Sequence, residues 1–316
     1  MKNNPLVSIL VLTYNGEKFI EQQLDSIFAQ TYKNIEVLVF DDASSDNTQN
    51  ILSNYSKKQP LKCFFHEQNV GINDNFSLAL KECSGDYVAT SDQDDIWDEN
   101  KIEILVSKIE NNIAIESTNE CIDENNNSVE HKSITEKQFF LGSQKALTAH
   151  CMMFKKELIQ YLEIPKEFSS SKGLHYDAYV SFIANQFGSI KYIKEPLVKY
   201  RRHSSQITVS KDKMTFNILG RFKQKDQQKS FRIKRLMTMF YVFSKLEFID
   251  EKIKKIMTEL SDLYSISLDS YFNQKLYEFM LLNHKVFFPN MEIKDYEKRA
   301  KKLARGIWYF RFKLYM

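Results

Sequence analysis

Four short apolar runs rich in β-branched and aromatic residues lie within the first 90 residues, and after each of the first three comes a segment with apolar residues at helical spacing. Few folds accept that alternation. Leu6 to Thr13 reads as a buried strand, and Glu17 to Gln30 sets Phe19, Ile20, Leu24, Ile27 and Phe28 on one helical face. The pattern repeats with strands at Ile35 to Phe40, Leu61 to His66 and Tyr87 to Thr90, and helices at Asp46 to Lys57 and Ile72 to Cys83. Single helices between short apolar strands predict an α/β fold with a doubly wound, mostly parallel sheet. In such a sheet ligands bind beyond the carboxyl ends of the strands, so the polar clusters directly after each strand are the ones to read.

Beyond Ile113 the pattern is less regular. A turn signal at Glu124-Asn125-Asn126-Asn127 suits a hairpin or a small antiparallel addition. His150 to Phe154 reads as a strand, Lys155 to Leu162 and Tyr176 to Phe187 as helices, and Ile190 to Ile193 and Leu197 to Tyr200 as short strands. After about Val209 strand signals stop, and Met214 to Leu282 and Ile293 to Leu314 look helical. This divides the chain into a catalytic or binding domain over 1–209 and a helical region over 210–316. Charge divides there too: residues 1–210 carry a net −8 and residues 211–316 a net +11.

Several classes of protein are excluded. The four cysteines, Cys63, Cys83, Cys121 and Cys151, form no CxxC pair, which argues against a zinc knuckle or a disulfide framework. No stretch approaches the roughly 18 to 20 uninterrupted apolar residues of a membrane-spanning helix, and the polar start shows no cleavable leader, so a cytoplasmic location is expected. No RNA or DNA motif accompanies the basic C-terminal half, so nucleic acid is not an expected partner.

The chemistry sits at strand ends. The first strand runs into Thr13-Tyr14-Asn15-Gly16 and the second into Asp41-Asp42-Ala43-Ser44-Ser45-Asp46. An aromatic there can stack on a nucleobase and a carboxylate can accept from a base or ribose, although Ser45 or Asp46 also suits a helix N-cap. The fourth strand ends in Ser91-Asp92-Gln93-Asp94-Asp95, three carboxylates within four residues. Their repulsion favours a cation, and an Asp-x-Asp pair gives a magnesium-like ion one or two carboxylates while substrate phosphates and water complete its shell. The bland alternative is an acidic solvated loop with Asp98 capping the next helix.

Pro5 to Asn15, Phe40 to Asp46, Asn69-Val70-Gly71 and Ser91 to Trp97 together resemble the successive signatures of family 2 glycosyltransferases. The likeness continues through Ala149 to Phe154, His175-Tyr176-Asp177 and Tyr200 to His203, and within the family it is similar to bacterial rhamnosyltransferase-like enzymes of surface polysaccharide synthesis. The resemblance implies a GT-A fold with a helical C-terminal extension and an inverting transfer from a nucleotide-diphosphate sugar, dTDP-rhamnose or a UDP-sugar, to a lipid-linked or oligosaccharide acceptor. By the same resemblance Tyr14, Asp42, Asp92, Asn69 and Gly71 match donor-binding positions, Asp94 and His203 the positions that hold Mn2+ or Mg2+, and Asp177 the catalytic base. Arg201 and Arg202 lie where they can help to neutralise a leaving diphosphate. Tyr176 separates His175 from Asp177 where the subgroup usually has His directly before the base.

Two rivals remain on the residues alone. A nucleotidyltransferase normally brings a Gly-rich, basic loop after the first strand, which Thr13 to Glu17 is not. A non-catalytic sugar-nucleotide-binding scaffold predicts binding without turnover. The C-terminal region adds a last expectation. Lys298, Arg299, Lys301, Lys302, Arg305, Arg311 and Lys313 surround Leu303, Ile307, Trp308, Phe310 and Leu314, a basic helix with an apolar face. Such a helix suits an anionic membrane surface and a peripheral position on the inner face of the cell membrane.

Overall fold

A computed structural model describes residues 4–129, 147–171, 173–203, 218–287 and 292–306, with the helix backbone alone for 218–228. The chain divides into two compact units, one of residues 1–137, 145–164 and 175–209, the other of 138–144, 165–174 and 210–316.

The first unit is built on an eight-stranded sheet. Strands β1 (Val7–Thr13), β2 (Ile35–Asp41), β3 (Leu61–Phe65) and β4 (Tyr87–Ser91) alternate with helices α1 (Ile20–Phe28), α2 (Thr48–Tyr55) and α3 (Ile72–Leu80). All seven residues of β1 and all five of β4 are buried, which is why these stretches read as continuous apolar runs. β2, β1 and β4 pair parallel, and β3 extends β2 in the same sense. The order reverses between β1 and β4, so the loops after β1, β2 and β4 share one end of the sheet.

The second half of the sheet is mixed. It contains β5 (Ile96–Trp97), β6 (Ala114–Ile122), β7 (Met152–Lys155) and β8 (Ile190–Arg201), with α4 (Lys101–Ile109) between β5 and β6. β7 runs antiparallel to both β4 and β6, β6 and β8 are parallel, and β5 lies antiparallel at the far edge of β8, giving the order β3-β2-β1-β4-β7-β6-β8-β5. The two short strands expected around residues 190–200 are one continuous strand, because residues on either side of Pro196 keep their pairing to β6 across register shifts near Thr118. The turn at 124–127 closes a small hairpin in which Ile122 bridges Ser128. The helix expected over Lys155 to Leu162 is a 3₁₀ helix, Lys156–Tyr161.

In the second unit α5 (Lys166–Ser169) packs with α7 (Ile218–Ser244), Phe168 lying 6.0 Å from Phe243. α8 (Glu251–Ile266), α9 (Gln274–Leu282), α10 (His284–Phe287) and α11 (Ile293–Ala304) complete it, while α6 (Tyr176–Phe187) belongs to the first unit. Asp250 caps α8 by accepting from the Lys252 and Ile253 amides. α9 and α11 run antiparallel: Tyr296 donates to the Met280 carbonyl, and the Asn273 amide donates to Ala304. Tyr296, Ala300 and Ala304 are buried, and Lys298, Lys301 and Lys302 are exposed on the opposite face. Trp308, Phe310 and Leu314 of the proposed apolar face lie outside the described residues. No described helix is long and apolar enough to cross a membrane.

Candidate active site

The loops after β1 and β2 are fastened to each other before any ligand arrives. The Asn15 amide donates to Ser44 Oγ (2.8 Å), and Asn15 Oδ1 accepts from the Ser45 amide (2.8 Å). Gly16 donates to Thr48 Oγ1 at 2.8 Å, and Glu17 accepts from the Asn47 amide at 2.9 Å. Asn15 (φ 51°) and Ala43 (φ 58°) both take the left-handed conformation, a cost that this mutual bonding offsets. Gly16 is required for space: a Cβ there would come within 2.6 Å of Gln93 Oε1 and 2.8 Å of Thr13 Oγ1. Asp46 accepts from the Thr48 amide at the start of α2, so it serves the N-cap region as well.

Tyr14 projects from this floor, 43% exposed. Its backbone is held by Gln93, whose Oε1 accepts from the Tyr14 amide (2.8 Å) and whose Nε2 donates to the Tyr14 carbonyl (3.1 Å). Asp42 is buried, and its two carboxylate oxygens accept from the amides of Val70 (2.7 Å) and Gly71 (2.9 Å). Asn69 Nδ2 donates to the Asp42 carbonyl at 3.1 Å. The expected donor residues Asp42, Asn69 and Gly71 thus form one hydrogen-bonded corner, and Gly71 (φ 87°) turns the chain into α3 there.

The acidic loop separates its three carboxylates. Asp94 Oδ2 lies 2.7 Å from His203 Nε2, and the His203 ring packs on Phe19 at 5.0 Å. Asp95 is fully buried; Oδ1 accepts from the Arg201 amide (3.0 Å), while Oδ2 has no hydrogen-bond partner among the described residues. Asp92, about one-third exposed, has Oδ2 3.4 Å from His150 Nδ1, and Asp95 Oδ2 is 3.8 Å from the same nitrogen. The buried His150 ring stacks on Tyr200 with centroids 4.6 Å apart, and its Nε2 is 2.8 Å from the Asn119 amide group. Lys101, also fully buried, donates to the His150 carbonyl at 2.7 Å and sits 3.5 Å over the Trp97 ring.

Burial sets the protonation of this group. It raises the Asp95 carboxyl to about 7, aided by the Asp94 and Asp92 charges and opposed by His150. It lowers the Lys101 ammonium to about 7, against the pull of Cys151, Asp95 and Asp92. For His150 burial works the other way from its neighbours, but Cys151, Asp95 and Asp92 outweigh it and hold the imidazole well above its ordinary range.

Asp177 lies in the first turn of α6, its Oδ1 accepting from the Ala178 amide at 2.8 Å. Beside it Tyr176 is buried and stacked on Phe76 at 4.1 Å. Burial raises the Tyr176 phenol, and the charges of Asp92 and then Asp177 raise it further, so both carboxylates act on one hydroxyl. The base candidate and the first carboxylate of the acidic loop therefore share a neighbourhood, although 85 residues separate them in the chain.

Arg201 faces inward. Only 1% exposed, it donates to the Asp94 carbonyl (2.8 Å), Asn126 Oδ1 (2.6 Å), the Asp123 carbonyl (3.2 Å) and Gln22 Oε1 (2.7 Å). It clasps the acidic loop to the 123–126 hairpin and α1, whereas Arg202 is exposed.

Two sets of side chains fit a divalent cation. Asp94 Oδ2 and His203 Nε2 converge at a separation close to the roughly 3 Å between neighbouring ligands of an ion bound at about 2.1 Å. Asp92, Asp95 and His150 offer one ligand atom each within 4.8 Å of one another. Sequence reasoning assigned nothing to His150. The signal available was its place in Ala149-His150-Cys151, immediately before the strand that pairs with β4.

Residues 8–163 match the family profile described as Glycosyl transferase family 2. A glycosyltransferase of Rickettsia typhi, itself uncharacterized, is 30% identical over 226 residues, covering 66% of this chain and 68% of that protein. The Escherichia coli UDP-Glc:alpha-D-GlcNAc-diphosphoundecaprenol beta-1,3-glucosyltransferase WfgD is 40% identical over 131 residues, 41% of this chain and 51% of its own. In fold the chain is similar to Staphylococcus aureus TarS 1–349 in complex with UDP, with a TM-score of 0.56 at 17% identity over 94% of this chain and 90% of that one. It is similar as well to a Pyrobaculum calidifontis mannosyltransferase in complex with GDP-Man and Mn2+, with a TM-score of 0.55 at 16% identity over 96% and 86%.

Proposed function

The chain belongs to family 2 of the glycosyltransferases, enzymes that use nucleotide sugars, and from that premise we propose an inverting, metal-dependent transfer to an acceptor hydroxyl in cell-surface polysaccharide synthesis. One observation carries the reading: Tyr14, the Asp42 corner and the Asp92–Asp94 loop follow the ends of β1, β2 and β4, where a sheet of this topology binds its ligand.

Tyr14 stacks on the base, and the Asp42 corner takes a donor group of the base or ribose. Asp92 accepts from a hydroxyl of the ribose or sugar. Asp94 and His203 would hold Mn2+ or Mg2+, which supplies positive charge to the diphosphate. Asp177 takes the proton of the acceptor hydroxyl as its oxygen bonds to the anomeric carbon. The bond from that carbon to the diphosphate breaks with its electron pair on the leaving oxygen, and attack from the opposite face inverts the centre.

The donor is a UDP-sugar or dTDP-rhamnose, and the E. coli relative, named for UDP-glucose and a diphosphoundecaprenol acceptor, supports the first and a lipid-linked acceptor. An acceptor of that kind places the enzyme peripherally on the inner face of the membrane, where the exposed Lys298, Lys301 and Lys302 of α11 meet anionic headgroups. The test is a screen of purified protein against sugar nucleotides with Mn2+ or Mg2+, reading nucleoside diphosphate release. Release from one donor that depends on added cation is expected. Tight binding without turnover of any donor, with a range of lipid-linked and oligosaccharide acceptors present, overturns the reading in favour of a binding scaffold.

A further inference from the structure

His150 takes part in no step above, yet the fold fixes it from three sides. Its ring face lies on Tyr200 (4.6 Å, interplanar angle 6°), Nε2 meets the Asn119 amide group at 2.8 Å, and its carbonyl accepts from buried Lys101 at 2.7 Å. The remaining polar atom, Nδ1, points into the acidic loop, 3.4 Å from Asp92 Oδ2 and 3.8 Å from Asp95 Oδ2. That leaves a rigid, buried end and a half-open one: the His150 side chain is 6% exposed and the Asp92 side chain 34%.

Resting on the reading that Asp92 touches the donor, we propose that His150 is a positioning residue that aims the Asp92 carboxylate at the nucleotide. Asp92 stands in a loop with Asp94 and Asp95, whose charges push it toward water and away from a fixed rotamer. Asp94 is engaged by His203 and Asp95 by the Arg201 amide, and His150 is the group that faces Asp92 from below. Oδ2 of Asp95, without a hydrogen-bond partner among the described residues, lies 3.8 Å from the same nitrogen, so the ring is within reach of a partly exposed carboxylate and a fully buried one. Outer partners that orient metal-binding side chains typically change affinity or activity by 10- to 100-fold when removed, and an effect at the lower end of that range is expected for a carboxylate aimed at a nucleotide.

The test uses His150→Phe, which keeps a ring to stack on Tyr200 and removes both nitrogens, with His150→Gln as the conservative variant that restores a donor. Affinity is measured by calorimetry in Mn2+ for whichever of UDP, GDP and dTDP the wild-type protein binds best. Mn2+ affinity alone is read by electron paramagnetic resonance. His150→Phe is expected to weaken nucleotide binding about 10-fold with Mn2+ affinity within about 3-fold of wild type, and His150→Gln to recover most of the loss. In an Asp92→Asn background His150→Phe should add less than about 2-fold, because it acts through Asp92.

A full additional 10-fold loss in that background overturns the proposal, and so does a collapse of Mn2+ affinity, which makes His150 a cation ligand with Asp92 and Asp95. Should His150→Phe not fold, Asn119→Ala frees the ring and is expected to weaken the same nucleotide, again without effect in the Asp92→Asn background; unchanged affinity overturns the proposal. A wild-type protein that binds none of the three nucleotides removes the functional reading itself and this inference with it, whereas wild-type binding left intact by the histidine variants removes this inference alone.

Discussion

Replacing Arg201 with methionine should cost the catalytic unit stability before it costs chemistry. The guanidinium donates to acceptors on Asp94, Asp123, Glu124, Asn126 and Gln22, from the acidic loop, the 123–126 hairpin and α1, and its carbon lies 4.5 Å from the Phe19 ring centre. Methionine keeps much of the length and leaves those acceptors unsatisfied. Each bond from a charged donor contributes ~1.5–3 kcal/mol, but the terms are not additive and the hairpin carbonyls can regain water. The loss resembles removal of one partner from a buried ionic network, about 3–5 kcal/mol. At ~2–4 °C per kcal/mol for a unit of this size, the melting temperature should fall by about 10 °C. Melting followed by circular dichroism, paired with nucleotide binding at 15 °C, checks this. A melting temperature within 2 °C of wild type together with a 100-fold loss of turnover would refute the argument, because Arg201 would then be acting on the diphosphate.

Asp94→Asn should abolish transfer and cation-dependent donor binding while the melting curve changes little, and unchanged turnover would remove Asp94 as a ligand. Asp177→Asn should slow transfer by ~10² or more with donor affinity nearly intact; collapsed affinity would place Asp177 in the donor site. The Asp95 carboxyl is raised from the usual carboxylate range to about 7, so the folded protein holds that proton more tightly than the unfolded chain, and its contribution, complete below about pH 4, is lost as pH rises toward 7. Asp95→Asn lacks this loss, and its melting temperature should rise relative to wild type between pH 5 and 7.5; a constant difference would contradict the shift. Changing Lys298, Lys301 and Lys302 together to Glu should release the protein from anionic liposomes at ~1 kcal/mol or more per residue, with transfer to a soluble acceptor retained. Equal sedimentation of variant and wild type would clear α11 of any membrane role.

The first half of the sheet was legible because β1 and β4 are buried along their whole length, β2 is buried from Val37 to Asp41, and α1 has one apolar face. Those patterns are local, so a sequence displays them. β5 was not legible: two residues, Ile96 and Trp97, become a strand only through pairing with Val198 and Lys199, a hundred positions away. The continuity of β8 through Pro196 depends in the same way on β6. Within the site, the positions of Tyr14, Asp42, Asp92, Asp94 and Asp177 at strand or helix ends could be read directly. The inward turn of Asp95 and Arg201 and the placement of His150 could not, because each is decided by partners from several elements. Repulsion among three carboxylates pointed to a cation, and the fold shows that protein groups answer much of it: His203 faces Asp94, His150 faces Asp92, and the Arg201 amide meets Asp95.

The route of the acidic loop limits how this site can change over evolution. Ser91 ends β4 and Ile96 begins β5, yet four strand-to-strand steps separate those strands in the sheet. On a flat sheet that is about 19 Å, and five residue steps reach at most about 18 Å when fully extended. The connection closes only because the sheet curls, with the register shifts near Thr118 in β6 as the local break in regularity. The stretch from Asp92 to Asp95 bends at Gln93 and Asp94 as it makes this crossing. Deleting one residue from it should disturb the pairing of β5 with β8, and lineages of this fold should keep its length.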